Sequence, residues 1–318
     1  MKASLSSLNS KLRKTRATVR LLFSIFTLLF LCLPVASAQS QEGAARKTTV
    51  AVLDFGETEA GRQAADRLWR NMQDAARLQL SDREEARAAA NGAGYKGSLN
   101  MTLEEARELG ATLGADFFIT GDAQTLRRSP SEGAVYYEAY ASVFLVSSRT
   151  GRLIMWERPS YQSLAPEAAT ALLLRELSGA ALRSRLSVAI ARALEDETRM
   201  RAESVGRTAP LIEEAPADAA GAKDMRLPLP YRRLRPPYPE TARLAEAEAT
   251  VDVEADIGAD GEVSRVSVVR WAGFGLDEAT ITTVKQLHFR PAMRGNEAIP
   301  MRVLLRYNFR KPPVESRR

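Results

Sequence analysis

The chain of 318 residues predicts an α+β fold in three stretches: an N-terminal α/β domain with a mixed sheet and flanking helices, a linker, and a C-terminal β-β-α-β domain. Three observations predict it. Residues 47–196 alternate short β-branched runs with stretches of helical period. Residues 197–229 lose periodicity and become rich in Ala, Pro and acid. Residues 230–311 hold long period-two strands around an Asp-Gly turn and one amphipathic helix.

Residues 1–38 carry Lys2, Lys11, Arg13, Lys14, Arg16 and Arg20 and no acid. A run of apolar residues, 21–33, follows, then Pro34 and the small-residue triplet Ala36-Ser37-Ala38. This is the layout of a secretory signal peptide, with cleavage expected after Ala38. The alternative is an uncleaved inner-membrane anchor, although a spanning helix needs about 20 apolar residues. Without those six cations, the basic residues only equal the 39 acids, so the net charge of +6 belongs to the leader. A nucleic-acid binder keeps its basic excess in the folded part, so nucleic acid is not an expected partner. The one cysteine, Cys32, lies inside the leader, so the mature chain has no disulfide or thiolate metal site.

The first domain opens with residues 48–55, TTVAVLDF, read as a buried strand. A helix follows with Ala64, Leu68, Met72, Ala75 and Ala76 on one side, then a short strand over 77–80. Ser81 with Glu84 reads as a capping box for a helix to Ala90, and Thr102 with Glu105 as a second box for a helix over 103–113, stopped by Gly114. Residues 115–121 read as a strand. Residues 135–148 and 152–161 form a hairpin across Arg149-Thr150-Gly151. Pro166 then starts one long helix to about Glu195, with Leu173, Leu177, Ala180, Leu182, Leu186, Ile190 and Leu194 inward. Two features invite a ligand reading. Gly92–Gly97 matches G-x-G-x-x-G, but it follows a helix instead of opening one, so it reads as an interhelical loop. Asp54 and Glu57 stand where α/β folds place ligands, although a turn before a helix N-terminus also favours acids.

Residues 213–222, EEAPADAAGA, have no apolar face and read as a tether that lets two modules move independently. Beyond it, residues 249–257 alternate Val251, Val253, Ala255 and Ile257 inward, Asp260-Gly261 makes the turn, and residues 262–271 form the partner strand. A helix over 276–287 presents Leu276, Thr280, Val284 and Leu287. The final strand, 299–309, is the stretch of greatest interest. Ile299, Met301, Val303, Leu305, Tyr307 and Phe309 alternate with Arg302, Leu304, Arg306 and Asn308. A long last strand leaves an edge that is either defended by charges, here Arg302, Arg306 and Arg310, or completed by a partner.

Tyr238-Pro239 with Ala242-Arg243, Asp260-Gly261 with Val263, Leu276-Asp277 with Ala279, and Phe289-Arg290-Pro291-Ala292 resemble, in order and spacing, the signatures of the TonB C-terminal domain family. The resemblance implies that Met301, Arg302, Val303, Leu304, Leu305, Arg306, Tyr307 and Phe309 form an edge strand offered to a peptide of an outer-membrane transporter. Residues 49–55 and 111–121 resemble, more weakly, the α/β domains of the CsgG-like and TolB N-terminal families, which are envelope proteins that bind other proteins. The chain departs from energy-coupling TonB members: its apolar leader has no histidine, the leader has a cleavage site, and the linker is not a long Pro/Lys spacer.

No enzyme is expected. His288 is the sole histidine and sits at a helix end, where the dipole favours it. Zinc constellations of Cys and His are excluded, and no cofactor or metal is expected. Trp69, Trp156 and Trp271 are dispersed and read as core. The sequence therefore points to a non-enzymatic periplasmic adaptor binding a transporter or another envelope protein by strand addition, with a homodimer left open and membrane contact only if the leader is retained. The competing reading is an assembly scaffold whose first domain carries the function.

Overall fold

The structure, a computed structural model, describes residues 47–130, 133–205, 212–216 and 225–311. Residues 1–46, with the expected leader and its expected cleavage after Ala38, and most of the acid-rich stretch 213–222 lie outside the described residues. The α+β fold is as expected, and the chain from Lys47 onward forms one compact unit.

The first sheet has the strands β1 (Thr48–Val52), β2 (Leu78–Leu80), β3 (Phe117–Arg128), β4 (Tyr136–Ser147), β5 (Leu153–Glu157) and β6 (Ser160–Ser163). Their order is β2-β1-β3-β4-β5, with β6 also on β4. β1 lies parallel to β2 and β3, and the rest of the sheet is antiparallel. Pro159 cannot donate to a ladder, and it stands where the expected single return strand splits into β5 and β6. The helices are α1 (Glu59–Met72), α2 (Arg83–Gly92), α3 (Leu103–Leu113), α4 (Pro166–Leu177) and α5 (Ala180–Val205). Val50, Val52, Phe117, Ile119, Val143 and Leu145 pack with Leu68, Met72, Leu173, Leu177, Leu182, Leu186 and Ile190 of α1, α4 and α5. The opposite face, with Ala51, Phe118, Phe144 and Val146, packs with Ala86, Ala90, Ala106 and Leu109 of α2 and α3.

The Thr102–Glu105 capping box and the left-handed Gly114 stop are present as expected. Two local readings change. Asp82, not Ser81, caps α2, its carboxylate accepting from the N–H groups of Glu84 and Glu85. Asp is as good a cap as Ser, so the choice between neighbours is not resolved by propensity. The long helix breaks at Ser178-Gly179. Asn71 Nδ2 donates to the carbonyls of Leu177 and Gly179 at 2.9 and 3.0 Å, supplying from α1 the partners that a helix end needs. Ala180 is exposed, whereas α5 runs on to Val205.

Described pieces of the tether then join sheets as β7 (Glu213–Glu214), β8 (Met225–Arg226) and β9 (Leu229–Pro230). The remaining elements are α6 (Glu240–Ala245), β10 (Ala249–Ile257), β11 (Val263–Arg270), α7 (Leu276–Val284), β12 (Phe289–Arg290), β13 (Ala292–Arg294), β14 (Glu297–Ile299) and β15 (Met301–Phe309). The second sheet has the order β11-β10-β15-β7, and β12-β9 and β14-β13-β8 form smaller ones. Val251, Val253, Ala255 and Ile257 are buried with Leu276 and Val284 of α7, as their alternation predicts. Gly261 has φ 84°, and a Cβ there would meet the Phe289 carbonyl at 2.0 Å, so only glycine fits the Asp-Gly turn.

The two sheets share one apolar core, against the expectation of independently moving modules. Trp271 is buried, stacks on Phe144 at 5.9 Å, and donates from Nε1 to the Gly151 carbonyl at 3.0 Å. Phe274 meets Phe144 and Trp156. Asn100 acts as a piece of backbone: its Nδ2 donates to the carbonyls of Thr250 and Trp271, and its Oδ1 accepts from the Thr250 N–H. The tether composition says nothing of this, because the joining residues lie far from it in sequence.

Candidate functional site

β15 pairs with β10 over its full length, from Ala249 opposite Phe309 to Ile257 opposite Met301. The strand begins at Met301, not Ile299. Pro300 interrupts it, and Ile299 belongs to β14, paired with Ala292. On its other side, among the described residues, β15 meets only β7, parallel, at Met301 and Arg302. The Ala215 N–H donates to the Arg302 carbonyl at 2.8 Å. In an antiparallel ladder the N–H and C=O of one residue point to the same side, and the side alternates. The N–H and C=O of Arg302 therefore point away from β10, and so do those of Leu304, Arg306 and Asn308. Thr250 agrees: opposite Asn308, it turns its N–H and C=O to Asn100 and not to β15. The outward backbone groups of Leu304, Arg306 and Asn308 meet no other strand among the described residues.

The side chains divide by face. Met301 and Phe309 are buried, and Val303, Leu305 and Tyr307 are half-buried. On the other face, the Arg302 guanidinium donates to both oxygens of Asp256 at 2.6 and 3.1 Å, and Arg306 to both of Asp252 at 2.7 and 2.9 Å. These forks join directly opposed residues at non-hydrogen-bonded positions, where side chains come closest. Arg270 reaches Asp252 from the far strand at 3.4 Å. Donating to Asp256 raises the pKa of Arg302 above its ordinary range, and donating to Asp252 does so for Arg306, so both stay charged. Leu304 stands 59% exposed between them. Arg302 and Arg306 are thus paired to carboxylates of β10 and are not free cations of the edge. The sequence reading did not single out Asp252 and Asp256, although Asp252, Glu254 and Asp256, acids at every second position on one face of a strand, were the available signal.

The signature residues brace the sheet and do not form its edge. The Tyr238 hydroxyl donates to the Ala247 carbonyl at 2.7 Å and its ring lies 6.4 Å from that of Phe309. Pro239 precedes α6 as its cap residue. Asp260 accepts from the Glu262 N–H, and Gly261 accepts from the Phe289 N–H. Phe289 is buried, Arg290 lies over the Tyr231 ring, and Pro291 packs beside Gly261. Asp277 accepts from the N–H groups of Ala272 and Gly273, and burial pushes its carboxyl up to about 6 against the pull of those two donors.

The other candidates are placed as follows. Asp54 is held by Arg83 and Arg87, which closes it into an ion-pair cluster. Asp54, Arg87, Tyr95 and Lys96 line a cleft of about 380 Å³. Gly92 ends α2, so the glycine motif opens no helix, and Gly94 and Gly97 take positive φ in the loop. His288 Nδ1 is 2.8 Å from Glu262 at an exposed site. Among the described residues no group of three or more His, Cys, Asp or Glu could hold a metal ion.

Residues 235–310 match the family described as Gram-negative bacterial TonB protein C-terminal. This part of the chain carries that domain, as its signatures implied. Among solved structures, the TonB C-terminal domain of Pseudomonas aeruginosa is 22% identical, covers 32% of this chain and 94% of its own, and has a TM-score of 0.24. A hypothetical protein, CT253, of Chlamydia trachomatis is 15% identical, covers 44% of this chain and 98% of its own, with a TM-score of 0.32. The LpoB C-terminal domain of Salmonella enterica is 15% identical and covers 38% and 87%, with a TM-score of 0.28. No curated protein matches the sequence.

Proposed function

We propose that the chain is a non-enzymatic cell-envelope adaptor that takes up a strand of another protein along the outer side of β15, in support of transport across the outer membrane. One observation carries this reading: Leu304, Arg306 and Asn308 present outward N–H and C=O groups that no other described strand pairs. Three donors and three acceptors offer up to six backbone hydrogen bonds at about 1 kcal/mol net each. Val303, Leu305 and Tyr307, half-buried, provide an apolar face for alternate residues of the incoming strand. The domain matched by residues 235–310 belongs to periplasmic proteins of Gram-negative bacteria, which supports the periplasm as location. No helix of the described residues is long and apolar enough to cross a membrane. An outer-membrane transporter is the partner class, and a second copy of the chain is the competing occupant of the same edge.

The register decides how to test this. Val303 turns its N–H to β10, so a proline there would break the protein's own sheet. Leu304 turns its N–H outward, and proline is tolerated on the free side of an edge strand. A photo-crosslinking side chain at exposed Arg310 should form an adduct with the partner in intact cells. Leu304→Pro should lower that adduct at least about tenfold while the thermal melt is retained, because one hydrogen bond is lost and the ring blocks its neighbours. An undiminished adduct would refute strand addition, and an adduct of twice the chain's own mass would identify the second copy.

A further inference from the structure

The chain already lays a strand of its own on the site. Glu213 and Glu214 pair in parallel with Met301 and Arg302, and the Ala215 N–H donates to Arg302. The segment is anchored by charge: both carboxylate oxygens of Glu213 accept from Arg294 Nη2, at 2.7 and 2.6 Å. Arg294 comes from β13, the strand preceding the turn into β14 and β15. Glu214 stands directly opposite Arg302 and adds to the field on that guanidinium. Pro216 follows, with no N–H to continue the ladder. The pairing therefore covers the first two residues of β15 and leaves the seven from Val303 to Phe309 without a second strand among the described residues.

We infer that Glu213–Ala215 is a built-in competitor for the partner site, an acidic plug on the start of β15 that an incoming strand must displace or begin beyond. This rests on the strand-addition reading above. The plug is joined to the sheet through the same chain, so its effective concentration is on the order of millimolar. A short segment free in solution cannot match that at micromolar concentration. A longer strand can, because it gains the bonds of Leu304, Arg306 and Asn308, which the plug does not reach. The plug thus sets a minimum length for the partner. Its own composition shows the chemistry favoured at the first positions: a carboxylate within reach of Arg294, followed by a residue tolerated beside Arg302.

The test uses the full chain, labelled for amide NMR, and a capped peptide copying residues 211–216. One variant combines Glu213→Ala with Ala215→Pro, removing the charge anchor and the donated N–H. The peptide should move the Met301 and Arg302 signals of this variant at a concentration at least about tenfold lower than it needs in the wild-type chain. Adding Arg294→Ala to the variant should weaken the peptide severalfold again. Equal peptide affinity in the wild-type chain and the variant overturns the plug and leaves strand addition to the Leu304→Pro adduct, because a copy of the plug does not reach Leu304, Arg306 and Asn308. Met301 and Arg302 signals that stay still in both chains also overturn the plug, because the segment then does not pair with β15.

Discussion

Replacing Trp271 with alanine should uncouple the two sheets. The side chain is 2% exposed, lies against Phe144, and fills space between the sheets. Truncating a buried Trp costs about 3–5 kcal/mol. The Gly151 carbonyl also loses the indole N–H, and a buried unpaired acceptor costs about 1–3 kcal/mol. Part of that second cost is already counted in measured truncations, so about 4–6 kcal/mol is expected in all. Native stabilities are about 5–15 kcal/mol, so such a loss is large enough to separate the halves. The assay is urea unfolding, followed by far-UV circular dichroism and by the fluorescence of Trp69 and Trp156. The wild-type chain should show coincident transitions. Trp271→Ala should show either two separated transitions or one lowered by several kcal/mol. Trp271→Phe keeps a ring on Phe144 and should lose only about 1–3 kcal/mol, the share of the N–H. A Trp271→Ala chain that unfolds in one coincident transition within 1 kcal/mol of wild type would refute a shared core.

Asn100→Ala removes three hydrogen bonds to the backbone of Thr250 and Trp271 and should cost about 2–4 kcal/mol in the same titration, with Asn100→Asp no better because a carboxylate cannot donate. The folded carboxyl of Asp277, pushed by burial to about 6, lies above its free value of 3.8, so the native state holds that proton more tightly. The contribution is fully present below about pH 4 and is lost as pH rises through 6. Wild-type stability should therefore fall relative to Asp277→Asn by up to about 3 kcal/mol between pH 4 and 7.5, measured as the difference of two urea series.

Much of the second sheet was legible because its determinants are local. The alternation of Val251, Val253, Ala255 and Ile257 matches their burial, and Asp260-Gly261 makes the expected turn because Gly261 needs positive φ. The first sheet was legible in order but not at its breaks. Ser178-Gly179 reads as tolerable helix until Asn71, more than a hundred residues away, is seen to satisfy the carbonyls there. The candidate site was legible as a strand but not in its directions. Period two tells which side chains share a face, but not which way each N–H points within the sheet plane. That depends on pairing with β10, and it makes Leu304, not Val303, the position for an informative proline. The pairing of β7 with β15 was hidden for a related reason: two acids in an Ala/Pro-rich stretch have no periodicity, and the position of Arg294 gives Glu213 its partner.

The charges on β15 now bear on how a partner could bind at all. An edge strand with free cations repels basic segments and resists pairing through the cost of desolvating them. Here Arg302 and Arg306 are already neutralised by Asp256 and Asp252, which are 4% and 3% exposed. Bringing a strand to the open side therefore displaces water from backbone groups and from Leu304 without stripping an unpaired charge. The same forks hold β15 to β10 at two points four residues apart, so the outward backbone groups are fixed in register before any partner arrives. Preorganisation of this kind lowers the ordering cost of association. On the proposed strand addition, the ion pairs and the open ladder would act as one device: side chains spent on the neighbouring strand leave the backbone to be recognised, and selectivity would come from the ends of the edge, where Arg294 and Glu213 stand.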